Sequence, residues 1–311
     1  LLALRLSLAT LALAGCYRGP RGPTNPPPVP AAEVPRGPFA PGQSYFGRNQ
    51  YVEYIAGNAP VIFAAPHGGT LVPDEIEPRT CGTTVRDSNT EELARMLRDT
   101  FFASTGKYPH VIINRLSRTR FDANRDRAEA SCGNAAAAVA WEEWHALLDT
   151  ARAAVTAASG RGWFVDLHGH GHAIPRLELG YLLTNANLDR PDPQLNALEM
   201  SSSVRSLSQD DTTTSFAELV RGPQSLGALF AAEGFRSIPS PSDPAPSGAE
   251  YFDGGYNTRR HGCVAGGTIC AVQIEANFAG VRDTQANRSR FAQAIVRVTR
   301  AFLAARWGLT I

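Results

Sequence analysis

Four short apolar runs, each meeting polar residues where it ends, constrain this chain more than any other feature. They are VIFAA at 61–65, HVIIN at 110–114, WFVDL at 163–167 and AVQI at 271–274. Runs of this length that are apolar almost throughout read as strands buried on both faces, the kind found in parallel sheets. Helical periodicities lie between them. Residues 90–102 carry Leu93, Met96, Leu97 and Phe101, with Ser88 to Thr90 as cap candidates. Residues 139–158 carry Trp141, Trp144, Leu147, Leu148 and Val155, and a last stripe, which Asp283 can cap, runs through Phe291, Ile295, Val298, Phe302 and Leu303. Strands alternating with helices predict an α/β fold: a mixed, mostly parallel central sheet with helices on both faces.

In such a sheet the ligand site lies beyond the carboxyl ends of the strands. The polar residues fall there. Pro66-His67-Gly68-Gly69 follows the first run, and Arg115, Arg118, Arg120, Asp122, Asn124 and Arg125 follow the second. His168-Gly169-His170-Gly171-His172 follows the third, and Glu275 follows the fourth. Two imidazoles and a carboxylate are the usual protein ligands of a catalytic zinc, which makes His67 and His168 the candidate histidine ligands. His170 and His172 are weaker candidates, because one ring of a flexible HxHxH loop usually faces a given ion. A glutamate beside an apolar strand is expensive to bury without a role or a partner. The arginines at 115, 118, 120 and 125 would repel one another, so some must face Asp122, Asp126 or a bound anion. Arg125 is the candidate clamp, since a guanidinium binds a carboxylate through two parallel hydrogen bonds. No HExxH, GxSxG, P-loop or GxGxxG pattern occurs. With 30 basic against 29 acidic side chains, the chain lacks the basic excess of a nucleic-acid binder.

The chain divides into three parts. Residues 1–15 have Arg5 ahead of a ten-residue apolar stretch, too short to span a bilayer and suited to a secretory signal. Leu13-Ala14-Gly15-Cys16 resembles the bacterial lipobox, so Cys16 is expected to be acylated and to anchor the protein to a membrane. Residues 16–44, dense in proline, read as a tether, and 45–311 as a single folded domain. The expected location is therefore the bacterial cell envelope, as an exported lipoprotein. Besides Cys16 there are Cys81, Cys132, Cys263 and Cys270. An even number in an oxidising compartment points to two disulfides. Cys263–Cys270 would close a short loop, which leaves Cys81–Cys132. Residues 184–249 carry no motif.

Five segments occur in one order: Pro66-His67-Gly68-Gly69, Asp87-Ser88-Asn89-Thr90-Glu91-Glu92-Leu93, Asp122-Ala123-Asn124-Arg125-Asp126, Asp166-Leu167-His168-Gly169 and Gly254-Gly255-Tyr256-Asn257-Thr258-Arg259. Together they resemble the N-formylglutamate amidohydrolase family, a branch of the zinc carboxypeptidase-like fold. The resemblance implies one catalytic zinc ion held by His67, Asp87 and His168. Thr70 stands where zinc carboxypeptidases carry a glutamate, so Glu75 is the alternative second ligand, and Asp87 could instead cap the helix that follows. It further implies that Asn124 and Arg125 grip the carboxylate of a small amide or peptide substrate, that Arg259 makes another substrate contact, and that Glu275 is the catalytic base. Two other readings use the same residues: a zinc carboxypeptidase trimming free C-termini, and a non-catalytic metal- or ligand-binding lipoprotein.

Overall fold

All four apolar runs become neighbouring strands. The computed structural model describes residues 31–311; the expected leader, Cys16 and the tether as far as residue 30 lie outside the described residues. In chain order the strands are β1 (Ser44–Phe46), β2 (Val52–Ile55), β3 (Val61–Ala65), β4 (His110–Asn114), β5 (Gly162–His170), β6 (Leu177–Gly180), β7 (Ser237–Ile238) and β8 (Ile269–Asn277). In space the order is β1-β2-β4-β3-β5-β8-β6-β7. The central four, β4, β3, β5 and β8, are parallel, while β2 and β6 flank them antiparallel.

The helices are α1 (Thr90–Thr105), α2 (Arg127–Ser131), α3 (Ala135–Ser159), five short ones from α4 (Asn185–Leu188) to α8 (Leu226–Ala232), α9 (Tyr256–His261) and α10 (Gln285–Trp307). Side chains alternate across a strand, so each face of the sheet buries its own core. Phe63, Val165, Leu167, Val272 and Ile274 pack with Leu97 and Phe101 of α1 and with Ile295 and Phe302 of α10. Ile62, Ala64, Phe164 and Ala271 pack with Trp144, Leu147 and Leu148 of α3. The stretch without a motif adds Leu188, Leu207, Phe216, Leu226 and Phe230 to the first core. Both expected disulfides are present, Cys81–Cys132 and Cys263–Cys270. Within the proline-rich stretch, Val34 and Phe39 pack on the second core, and Phe39 meets Tyr45 and Tyr54 edge-on. Among the described residues no helix is long and apolar enough to cross a membrane.

Two local expectations are corrected. Thr284, not Asp283, caps α10, accepting a hydrogen bond from the Asn287 N–H at 3.1 Å. Asp283 instead accepts from the backbone of Gly280 and Thr284. The second correction matters more: β5 does not stop at Leu167. It continues to His170 because β8 runs beside it, with Leu167 facing Ile274, His168 facing Glu275 and His170 facing Asn277. On the α3 side of the sheet, the row that begins with Phe164 therefore continues as Asp166, His168 and His170. The row of Ala271 continues as Gln273 and Glu275. One face changes from apolar to polar halfway along two adjacent strands.

Candidate metal centre and cleft

His67 leaves the end of β3 and is held in place by its surroundings. Gly68 sits against the first turn of α1, where a Cβ would overlap the Glu91 amide. The Asp87 N–H donates to the His67 carbonyl at 3.2 Å, which brings the segment before α1 alongside. Asn89, in the left-handed region at φ 70, then turns the chain into the helix; asparagine tolerates that conformation better than most residues. Its side-chain amide donates to the Arg282 carbonyl at 2.7 Å. Asp87 is thereby pointed at the polar rows of β5 and β8.

Three donor atoms meet there. Asp87 Oδ2 lies 3.2 Å from His67 Nδ1 and 3.1 Å from His168 Nδ1. The two imidazole rings are 4.7 Å apart, centre to centre. Zinc–nitrogen bonds of about 2.0–2.1 Å place tetrahedral donors about 3.3–3.4 Å apart, so the spacing and the donor set fit a small divalent ion. Each ring faces this point through Nδ1 because its other nitrogen is engaged. His67 Nε2 lies 2.7 Å from Asp122 Oδ1, and His168 Nε2 lies 3.0 Å from Asp166 Oδ2. Carboxylates behind metal-binding imidazoles fix ring orientation and raise ligand basicity. Arg118 braces the assembly, donating to Asp122 at 3.0 Å and sitting 3.6 Å from Asp87.

Glu275 completes the group. Its Oε1 is 3.8 Å from His168 Nδ1 and accepts from the Gln273 side-chain amide at 2.9 Å. Burial, reinforced by the Asp87 and Glu178 carboxylates and opposed by His168, pushes its carboxyl up to about 8. Burial works against ionisation of Asp87 too, but the His67 and His168 imidazoles outweigh it and hold that carboxyl well below its usual range. For His168 burial disfavours the charged ring, yet the Asp166 and Glu275 carboxylates outweigh it and raise the imidazole well above its ordinary value. Positive charge is strongly favoured at this point, by a proton or by a metal ion.

The group opens into a cleft of about 260 Å³ whose lining includes His67, Asp87, Arg118, Asn124, Arg125, His168, Gly255 and Glu275. Arg125 donates through Nε to Glu129 at 3.0 Å and through Nη1 to the Asn124 carbonyl at 2.8 Å. Asn124 is buried, with Nδ2 3.2 Å from His168 Nε2 and Oδ1 accepting from the Asn257 N–H at 2.8 Å. Its side chain links the first turn of α9 to the site beside the histidine. The structure does not bring two candidates to the cleft. Arg259 is exposed on α9 and is absent from the lining. Glu75 is at the surface, bonded to Tyr51 and Asn49, so it is not an alternative to Asp87.

Sequence reasoning assigned no place in this site to Asp166, nor to Asp122 beyond pairing with arginine. Asp166 had a readable signal, since it stands two residues before His168 on one strand and so shares its face. Asp122 lies in a loop, where no periodicity points. Arg282 was also missed. It is buried beneath Gly169, donating to the carbonyls of Ala276, Ser88 and His170.

No family model matches the chain, and no curated protein matches it. Solved structures do. A gene product of Agrobacterium tumefaciens is 15% identical, with 82% of this chain and 95% of that one covered and a TM-score of 0.50. An N-formylglutamate amidohydrolase from Ralstonia eutropha is 14% identical, with 80% and 95% covered and a TM-score of 0.48. A succinylglutamate desuccinylase from Chromobacterium violaceum is 13% identical, with 80% and 64% covered and a TM-score of 0.37. The likeness to the first of these is one of fold: a mixed, mostly parallel sheet between helical layers.

Proposed function

We propose that the protein is a zinc-dependent amidohydrolase that cleaves an amide or peptide bond next to a carboxylate. One observation carries the reading: His67, Asp87 and His168 converge on one point with Glu275 beside it, in a cleft that Arg125 also lines. His67, Asp87 and His168 would hold the ion. When bound, such an ion supplies an electrophile for an amide carbonyl and makes water acidic enough to ionise near neutral pH.

The remaining work falls to the chain. Glu275, which a cation at this point would hold ionised, takes a proton from the attacking water and returns it to the amide nitrogen, so the C–N bond breaks with a neutral amine, not an amide anion, leaving. Asp122 and Asp166 keep the imidazoles turned inward. Arg125, with Nη2 free of protein partners among the described residues, binds the substrate carboxylate. A chain exported and anchored through Cys16 would meet peptides and γ-glutamyl material as well as N-formylglutamate, so the assay needs all three.

The test combines elemental analysis of protein purified without added metal with turnover of N-formylglutamate, γ-glutamyl peptides and simple peptides. The expected result is one zinc per chain, activity lost on chelation, and a fall of about 10²–10⁴-fold in Glu275→Gln with the metal retained. A metal-loaded protein that cleaves none of these amides, or a Glu275→Gln variant as active as the parent, would defeat the reading.

A further inference from the structure

Beside the candidate centre lies a second group of ligand-type side chains, His170, His172 and Glu178, whose donor atoms lie within 4.8 Å of one another. Its hydrogen bonds give it a different purpose from metal binding. His170 has both nitrogens committed: Nε2 lies 2.7 Å from the Arg176 carbonyl, and Nδ1 accepts from the His172 N–H at 3.1 Å. Glu178, fully buried on β6, directs one carboxylate oxygen to His172 Nδ1 at 2.9 Å. The other accepts from the Phe252 N–H at 2.8 Å. The two residues it holds stack on each other, with ring centres 4.5 Å apart and planes 29° apart. Both line the cleft.

A single exposed phenylalanine is ordinary on a protein surface. A buried carboxylate whose two oxygens hold a phenyl-bearing backbone and its stacking imidazole is not, because desolvating that charge is costly. Position gives the arrangement its meaning. Glu178 is the register partner of Glu275 across β6 and β8, and neighbouring strands lie about 4.8 Å apart. The stacked pair therefore flanks the reacting centre itself. Val85, 72% exposed on the segment leading to Asp87, adds apolar surface to the same cleft.

We propose that His172 and Phe252, clamped by Glu178, form a recognition wall for an apolar or aromatic group that the substrate carries next to the scissile amide. The proposal rests on the amidohydrolase reading and names its substrate class: N-acyl amino acids or peptides with a free carboxylate at one end and an apolar or aromatic substituent on the acyl side. A formyl group, with only hydrogen on its carbonyl carbon, is too small to use the wall. Phe252 supplies the contact, and Glu178 acts as a positioning residue.

The experiment compares N-phenylacetylglutamate with N-formylglutamate in two ways: kcat/KM with metal-loaded protein, and calorimetric affinity for the Glu275→Gln protein. Since even one methylene in an apolar pocket is worth roughly 10–200-fold, the expected preference for the phenylacetyl compound is at least tenfold. Phe252→Ala should bring that ratio close to one with no change in unfolding temperature. Glu178→Gln should raise KM for the phenylacetyl compound more than it lowers kcat. Met200→Ala, an exposed apolar residue outside the cleft, should leave the ratio unchanged. A ratio near one in the parent protein, or one that survives Phe252→Ala, overturns the wall. If no amide is cleaved but the affinity ratio holds and Phe252→Ala abolishes it, the amidohydrolase reading fails and the wall stands.

Discussion

Each imidazole in the centre presents Nδ1 because a carboxylate engages its Nε2, and the two arrangements were not equally visible in the sequence. His67, His168 and Glu275 stood out as polar residues interrupting or ending apolar runs. Asp166 was legible only if residues 166 and 168 were read as one strand face. The role of Asp122 depends on a loop whose path no local pattern encodes. Losing either carboxylate should weaken metal binding without removing a ligand. Asp166→Asn and Asp122→Asn are each expected to lower zinc affinity about 10–100-fold, measured by competition against a chromogenic chelator. Glu129→Gln, which alters a carboxylate bonded to Arg125 rather than to a ring, should leave that affinity within a few-fold. Equal affinities for all four proteins would show that the rings need no such support.

At the scale of elements, the centre depends on two strands that outlast their apolar character. β5 and β8 stay paired through residues 168–170 and 275–277. Leu167 and Ala276 still face a core, while the opposite row carries the polar side chains of the candidate centre. A reading based on apolar runs ends such strands too early, and that is why His168 and His170 were expected on a loop. Gly169 shows how tightly the arrangement is packed. A Cβ there would overlap the Arg282 guanidinium, whose nitrogens all bond to backbone carbonyls and leave it little room to move. Overpacking a buried site typically costs about 1–3 kcal/mol, so Gly169→Ala should lose about that much stability in urea unfolding. Gly171→Ala two residues later is the matched comparison, because nothing lies within 4 Å of a Cβ there. It should stay within about 0.5 kcal/mol of the parent. Similar losses for both would mean that the contact with Arg282 is not what requires glycine at 169.

Across the whole molecule, the sequence conveyed the architecture better than the extent of its layers. The sheet centre, α1, α3, α10 and both disulfides followed from runs, periodicities and cysteine spacing. The region 184–249 did not, because α4 to α8 are four to seven residues each, too short to show a helical period, and fold only by docking on a core built by distant strands. What that scaffold encloses makes stability depend on pH and metal together. Glu275 has its carboxyl raised from 4.5 to about 8, chiefly by burial. Between those values the unfolded chain loses this proton first, so rising pH favours unfolding, by up to about 1.4 kcal/mol per pH unit for one group. His168 acts in the same direction. Despite its burial, the Asp166 and Glu275 carboxylates raise it above its ordinary 6.5, so its stabilisation is complete below that pH and disappears as pH climbs through the folded value. Asp87, depressed below 3.8, has no further effect in this window. A bound divalent ion replaces those protons and adds RT ln(1 + [L]/Kd), about 2.7 kcal/mol at one hundred times Kd. The chelated protein should therefore melt at progressively lower temperature from pH 6 to pH 9. With zinc in excess the melting temperature should fall much less, and the gap between the two curves should widen with pH. Parallel curves would place any bound ion somewhere other than between His67, Asp87 and His168.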